Sequence, residues 1–324
     1  MYLTSVFFSV RRAVLVLAAL SLSVLAQAQD YPNKPVTIVV GYAAGGGVDF
    51  MARLLAEKLA DRLKQPVVVE NRPSVGAVVA STYVSKAKPD GYTLMMGAPG
   101  PIIFNHALND KLPYGPRDFA PISIMSHSPL VLLVNANNPA RNVQELVAQS
   151  RANPDKANYG ASSASFQLTT ELFNRRAGAR FTHIPYKGAN EAVQAVMSGD
   201  VTMTLADSGP AITGLQSGRV KALAVTSADR LKDLPNVPTL SELGIDLKAS
   251  LWIGLLAPAG TPADIIKRLH EEMVRIVDMP DVRARIAAKA STPVTNTPED
   301  FARLIASEIT LWRQVAQENN IRGN

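Results

Sequence analysis

Val36-Thr37-Ile38-Val39-Val40-Gly41-Tyr42-Ala43-Ala44-Gly45-Gly46-Gly47-Val48-Asp49 reads as a strand, a glycine turn and the start of a helix. The run Val36 to Val40 is short, apolar and β-branched, as a strand covered on both faces requires. Gly45, Gly46 and Gly47 let the backbone turn sharply and approach a neighbour closely. From Val48 the period changes. Met51, Leu54, Leu55 and Leu59 share one helical face, with Glu57, Asp61 and Arg62 toward the other. A helix that begins at the carboxyl end of a buried strand aims free N–H groups and a positive dipole end at one spot, which suits an anion.

The same rhythm continues outward from this unit. Pro66-Val67-Val68-Val69-Glu70 is a second short buried strand, Val78 to Lys86 a small helix, and Tyr92-Thr93-Leu94-Met95-Met96 a third strand. The loop Gly97-Ala98-Pro99-Gly100-Pro101 follows, with Ala98 at the same sheet end as the first loop. Strand–loop–helix alternation predicts an α/β fold with a mostly parallel sheet, and ligands in such sheets sit beyond the carboxyl ends of the strands. Phe119 to Met125 and Pro129 to Val134 are two further strands, the second opening a new unit.

That unit repeats the opening plan. Asn158-Tyr159-Gly160-Ala161 is a strand end, Ser162-Ser163-Ala164-Ser165 a turn, and Leu168, Leu172 and Phe173 the apolar face of the helix that follows. Here serines replace glycines; they can cap the helix and also offer hydroxyls to a ligand. Strands at 181–184, 201–205 and 222–226 follow, with Asp207 just after the second. Leu251 to Ala257 is a last strand, expected to cross back to the first unit. Thr261-Pro262 and Thr297-Pro298 mark the starts of the tail helices. The division expected is 29–130 with 254–324 as one domain and 131–253 as the other.

The first 28 residues stand apart. Arg11 and Arg12, the apolar run Ala13 to Leu25 and Ala26-Gln27-Ala28 have the plan of a secretory signal peptide cut after Ala28. The apolar run is short for a membrane span. Removing Arg11 and Arg12 with the segment takes the formal charge from +6 to +4, spread without a run of like charges, so nucleic acid is not indicated as a partner. The absence of cysteine excludes thiol catalysis and thiolate metal sites.

Catalytic patterns are missing. The four histidines have no metal-ligand spacing and no H-E-x-x-H occurs. The triple glycine is neither a phosphate loop, since no G-K-[ST] follows, nor a dinucleotide fingerprint. Gly160-Ala161-Ser162-Ser163-Ala164 lacks the last glycine of a nucleophile elbow. No metal, cofactor or catalytic residue is assigned, and an exported hydrolase using Ser162 or Ser163 is the weaker alternative. Two helix starts, one per domain, point instead to a ligand held in a hinged cleft. A carboxylate could be held by N–H groups near Ala44 to Gly47 and by those near Ser162 to Ser165. Hydrogen bonds to charged groups contribute roughly 1.5–3 kcal/mol each, so a few suffice for micromolar affinity without a basic side chain.

At this point the residues carry a family resemblance. Tyr31-Pro32-Asn33-Lys34-Pro35, Gly45-Gly46-x-x-Asp49-x-x-Ala52-Arg53, Val68-Val69-Glu70-Asn71-Arg72-Pro73, Pro89-Asp90-Gly91-Tyr92-Thr93-Leu94, Asp118-Phe119-Ala120-Pro121-Ile122, Pro185-Tyr186-Lys187-Gly188, Ala222 to Ser227 and Gly254 to Pro262 occur in order. Over essentially all of the chain after its first 28 residues, it resembles the extracytoplasmic solute receptors of tripartite tricarboxylate transporters, the Bug receptors. The resemblance implies a two-domain Venus-flytrap, or periplasmic-binding-protein, fold. It also implies a place in the periplasm and a small organic acid or amino acid passed to the subunits of a membrane permease; a monomer is expected. A receptor of the same fold that signals to a sensor kinase is the other reading.

By position, the resemblance assigns ligand contacts to Tyr42, Ala43, Ala44, Gly45, Gly46 and Gly47, and to Tyr159, Gly160, Ala161, Ser162, Ser163, Ala164 and Ser165. Asp49 matches the family's helix-start aspartate, where capping or pairing with Arg53 competes with ligand contact. Asp207 matches a position facing the cleft that suits an ammonium or hydroxyl. Gln167 stands where many members have histidine. Many relatives carry Phe-Pro-Pro-Gly-Gly where this chain has Tyr42-Ala43-Ala44-Gly45-Gly46, and the serine loop lacks the usual glycines. The tip Ala43-Ala44 is thus the expected seat of this protein's own preference.

Overall fold

The structure, a computed structural model, describes residues 31–109, 111–186 and 188–321. The signal-peptide reading falls on residues 1–28, outside the described residues. Strand β1 (Val36–Val40) leads into helix α1 (Gly47–Leu63), then β2 (Val67–Asn71), α2 (Val78–Ser85) and β3 (Thr93–Gly97). β1 pairs in parallel with β2 on one side and β3 on the other. Its side chains alternate as a strand's must: Val36, Ile38 and Val40 pack with Met51, Leu55 and Leu59 of α1, while Val39 joins Ala80 and Val84 of α2. Strand β2 differs from expectation. It is the sheet's edge, and Val68 is 52% exposed.

After β3 the chain runs through a tight helical turn, Gly100–Phe104, into α3 (Asn105–Leu108). Next comes β4, a single strand over Phe119–Asn135 where two were expected. Pro129 does not break it, because the partner changes there. Residues 119–129 pair with β9 (Ser250–Pro258), and residues 130–135 pair with β7 (Met203–Asp207) and β8 (Val220–Val225). The missing N–H of Pro129 falls at the junction, and its carbonyl accepts the Ser208 hydroxyl at 3.1 Å.

Beyond the junction lie α4 (Val143–Ala152), β5 (Asn158–Ala161), α5 (Ala164–Ala177), β6 (Thr182–Pro185), α6 (Ala189–Ser198) and, after β7, α7 (Ser208–Gln216). β5 pairs in parallel with β6 and β7. The full order is β2-β1-β3-β9-β4-β7-β5-β6, with β8 also on β4. The outer strands are parallel, as the α/β rhythm predicts. Every antiparallel pair involves β4 or β9, so the sheet as a whole is mixed.

The tail forms α8 (Ala263–Val277), α9 (Pro280–Ala287), a short β10 (Thr292–Pro293) on β4, and α10 (Pro298–Glu318). Thr297 caps α10 through the Asp300 N–H at 3.1 Å. Thr261 does not cap α8; its hydroxyl donates to the Pro258 carbonyl at 2.8 Å, and the helix starts after Pro262. Helix α10 packs on β4 and α3, and at its end Glu318 pairs with Arg175 of α5. The tail therefore touches both halves of the sheet. Among the described residues, no helix is long and apolar enough to cross a membrane.

Candidate functional site

Three helices begin beside one cleft of about 900 Å³. Gly47 at the start of α1, Ser163 to Ser165 at the start of α5, and Asp207 and Gly209 at the start of α7 all line it. None of the three starts has a side-chain cap. Ser163 could cap α5, but its hydroxyl pairs with that of Ser165 at 3.2 Å. The first-turn amides of all three helices therefore have no side-chain acceptor, and each helix start carries roughly half a positive charge.

The first loop is held from behind. Asp49 is 3% exposed, and its carboxylate accepts the Gly45 N–H at 2.8 Å, Arg53 Nε at 3.0 Å and Asn71 Nδ2 at 2.8 Å. Asn71 Nδ2 also donates to the Tyr42 carbonyl at 3.1 Å, and its Oδ1 accepts from Arg53 at 3.0 Å. Those bonds, the Arg53 bond foremost, lower the Asp49 pKa to about 2. Gly45 sits at φ +86°, so the turn needs a glycine there. The motif residues Asp49, Arg53 and Asn71 are thus spent on fixing the loop's shape.

The expected contacts divide as follows. Tyr42, Gly47, Ala98, Ser162, Ser163, Ala164, Ser165 and Asp207 come together on the cleft wall. Ala43, Ala44, Gly45 and Gly46 are exposed on the loop but are not among the lining residues. Tyr159 is fully buried, stacks on His183 and donates to Glu171 at 2.6 Å. Gly160 and Ala161 lie under the sheet end; the Gly160 carbonyl accepts the Thr204 hydroxyl, and an added Cβ would meet Tyr186 at 3.1 Å. Gln167 is half-buried and away from the lining. Asp49 faces the loop lock.

Sequence reading missed much of the wall. Phe104, Asn105, Leu108, Asn109 and Leu112 form one side. Asn105 anchors that side, donating to the Gly76 carbonyl at 2.8 Å and to the Tyr114 hydroxyl at 3.0 Å. Ser128 of β4 and Leu251, Trp252 and Ile253 of β9 line the cleft where the two strands run side by side. Lys289 and Ser291 come from the tail. These residues come from four distant segments with no shared motif, so only the tertiary fold brings them together.

Two charged side chains line the cleft among the described residues, Asp207 and Lys289. Asp207 Oδ1 is buried with no hydrogen-bond partner, and burial raises its pKa. Lys289 is exposed, with its ammonium 4.7 Å from the centre of the Phe50 ring. No histidine stands among the lining residues to serve Ser162 or Ser163 as a base. The arrangement can hold an anion on backbone amides but presents no nucleophile–base pair.

A mixed α/β sheet whose two halves share the long strand β4, with a cleft collared by helix starts, defines a periplasmic-binding-protein type of solute receptor. Residues 51–321 match the tripartite tricarboxylate transporter family receptor, TctC, and the chain belongs to that family. The protein BugT of Bordetella pertussis is 35% identical over 300 residues, 91% of this chain and 92% of BugT. MatC from Rhodopseudomonas palustris, solved with bound malate, superposes with a TM-score of 0.72 at 32% identity, covering 88% of this chain and 99% of MatC. An R. palustris protein solved with adipate gives 0.75 at 31% identity, over 89% of this chain and 98% of its own. The family and these neighbours are solute-binding receptors and not enzymes, which sets aside the hydrolase alternative.

Proposed function

We propose that this protein is a periplasmic receptor that captures a small carboxylate-bearing solute between two lobes and passes it to the membrane subunits of a tripartite tricarboxylate-type transporter. The lobes are residues 29–130 with 254–324, and residues 131–253. The observation that carries the reading is the cleft itself, where uncapped amides of α1 and α5 face one space from the two halves of the sheet. Relatives solved with malate and adipate support a carboxylate as the class of ligand. One chain supplies every wall of the cleft, so a monomer suffices.

Closure would bend β4 where it changes partners and the segment that enters β9 at Ser250, while α10 ties the two halves as a third connection. Asp207 suits a hydroxyl or ammonium on the ligand, either of which would satisfy its unpartnered oxygen. The test is a thermal-shift screen of organic acids, amino acids and neutral sugars. A ligand at about a hundred times its Kd stabilises by about 2.7 kcal/mol, a shift of several degrees. Acids raising the melting temperature while sugars do not is the expected result; stabilisation by sugars alone overturns the anion reading.

A further inference from the structure

We propose that the ligand is a monocarboxylate with a hydrocarbon or aromatic body, and not a compact di- or tricarboxylate. The inference rests on the receptor reading above and names the substrate class of that same cleft. Leu108 and Leu112 on the α3 side and Leu251 and Ile253 of β9 line it with apolar side chains that are still partly exposed. A small polar diacid would leave that surface wet, whereas an alkyl chain or ring would take it out of water. Each buried methylene is worth about a fourfold gain in affinity.

Charge points the same way. Lys289 has no carboxylate partner among the described residues, and three uncapped helix starts add partial positive charge. Set against Asp207, they leave a surplus of roughly one to one and a half positive charges. That balances one carboxylate. A second would find no further cation on the wall, only neutral donors such as Asn105 and Ser128, and would face the Asp207 carboxylate, whose Oδ1 is already unpartnered. A carboxylate placed there loses hydration that neutral donors restore only in part.

The experiment is isothermal titration of the purified chain with acetate, hexanoate, 3-phenylpropanoate, adipate, malate and citrate. Hexanoate and 3-phenylpropanoate should bind at least about tenfold more tightly than acetate, malate or citrate. Hexanoate should also exceed adipate, which differs from it only by the second carboxylate. Asp207→Asn should narrow the hexanoate–adipate gap. Leu112→Asn should remove most of the advantage of hexanoate over acetate, with Leu108→Asn as the substitute if the first variant does not fold. Tightest binding of malate or citrate, or adipate exceeding hexanoate, overturns this proposal and leaves the receptor reading standing. Binding of none of the six acids overturns this proposal, and stabilisation by sugars alone in the thermal-shift screen overturns the receptor reading with it.

Discussion

Asp49 shows how a residue beside a binding loop serves by staying out of the cleft. Its carboxylate is consumed by Gly45, Arg53 and Asn71, so the loop is shaped before any ligand arrives. Its pKa is lowered, so its contribution is fully present above the unfolded value of about 4 and is lost as pH falls toward about 2. Asp49→Asn should lower the melting temperature at neutral pH by several degrees, the loss of charge-assisted bonds costing roughly 2–3 kcal/mol. It should also flatten the acid side of the curve between those two values. Melting followed from pH 6 downward tests both, and an unchanged acid slope would remove Asp49 from the account. At this scale the sequence was partly legible. The Asp49–Arg53 spacing announced an i,i+4 pair, and the ion pair is there. The share of Asn71 was not visible, because β2 meets the loop only in the folded sheet.

At the level of elements, the two strand–turn–helix units were the most legible part of the chain. A short strand, then a run of glycines or serines, then apolar residues spaced at 3.6 mark where each strand stops and each helix begins. The opposite wall carried no such mark: α3 is four residues long, and Leu112 lies in the segment after it. The long β4 reads as two strands because the polar Ser126-His127-Ser128 interrupts its apolar run, and the β9 pairing that carries it through there is visible only in the folded sheet. Substitutions in the first loop separate shape from occupancy. Gly47 is the first residue of α1, lines the cleft, and has open space where a Cβ would go. Gly47→Leu should therefore fold normally and lower ligand affinity by at least about tenfold, since its side chain occupies the ligand's place. Full affinity in that variant, by titration, would move the site away from α1.

Across the whole molecule, α10 links the halves and carries one costly group. Glu308 lies beside Trp312, Leu130 and Thr169 where the tail meets both halves, and burial lifts its pKa to about 7. The folded state therefore holds a proton that the unfolded chain releases from about pH 4.3 upward. Stability falls as pH rises through this window and levels off above about 7. Glu308→Gln should abolish that decline and raise the melting temperature at pH 8 by several degrees. A parallel decline in the variant would place the titrating group elsewhere.

The position of β9 has a consequence for how the protein comes into being. β9 lies between β3 and β4, yet its first residue is Ser250, long after β3 ends at Gly97 and β4 at Asn135. A ribosome that has released residues up to 249 has made a sheet with a gap at its centre. The early strands cannot close over that gap, and pairings so distant in sequence form slowly. The β3–β9 and β4–β9 pairings therefore wait until the chain beyond residue 249 has been made, while β4 to β8 can pair among themselves before it.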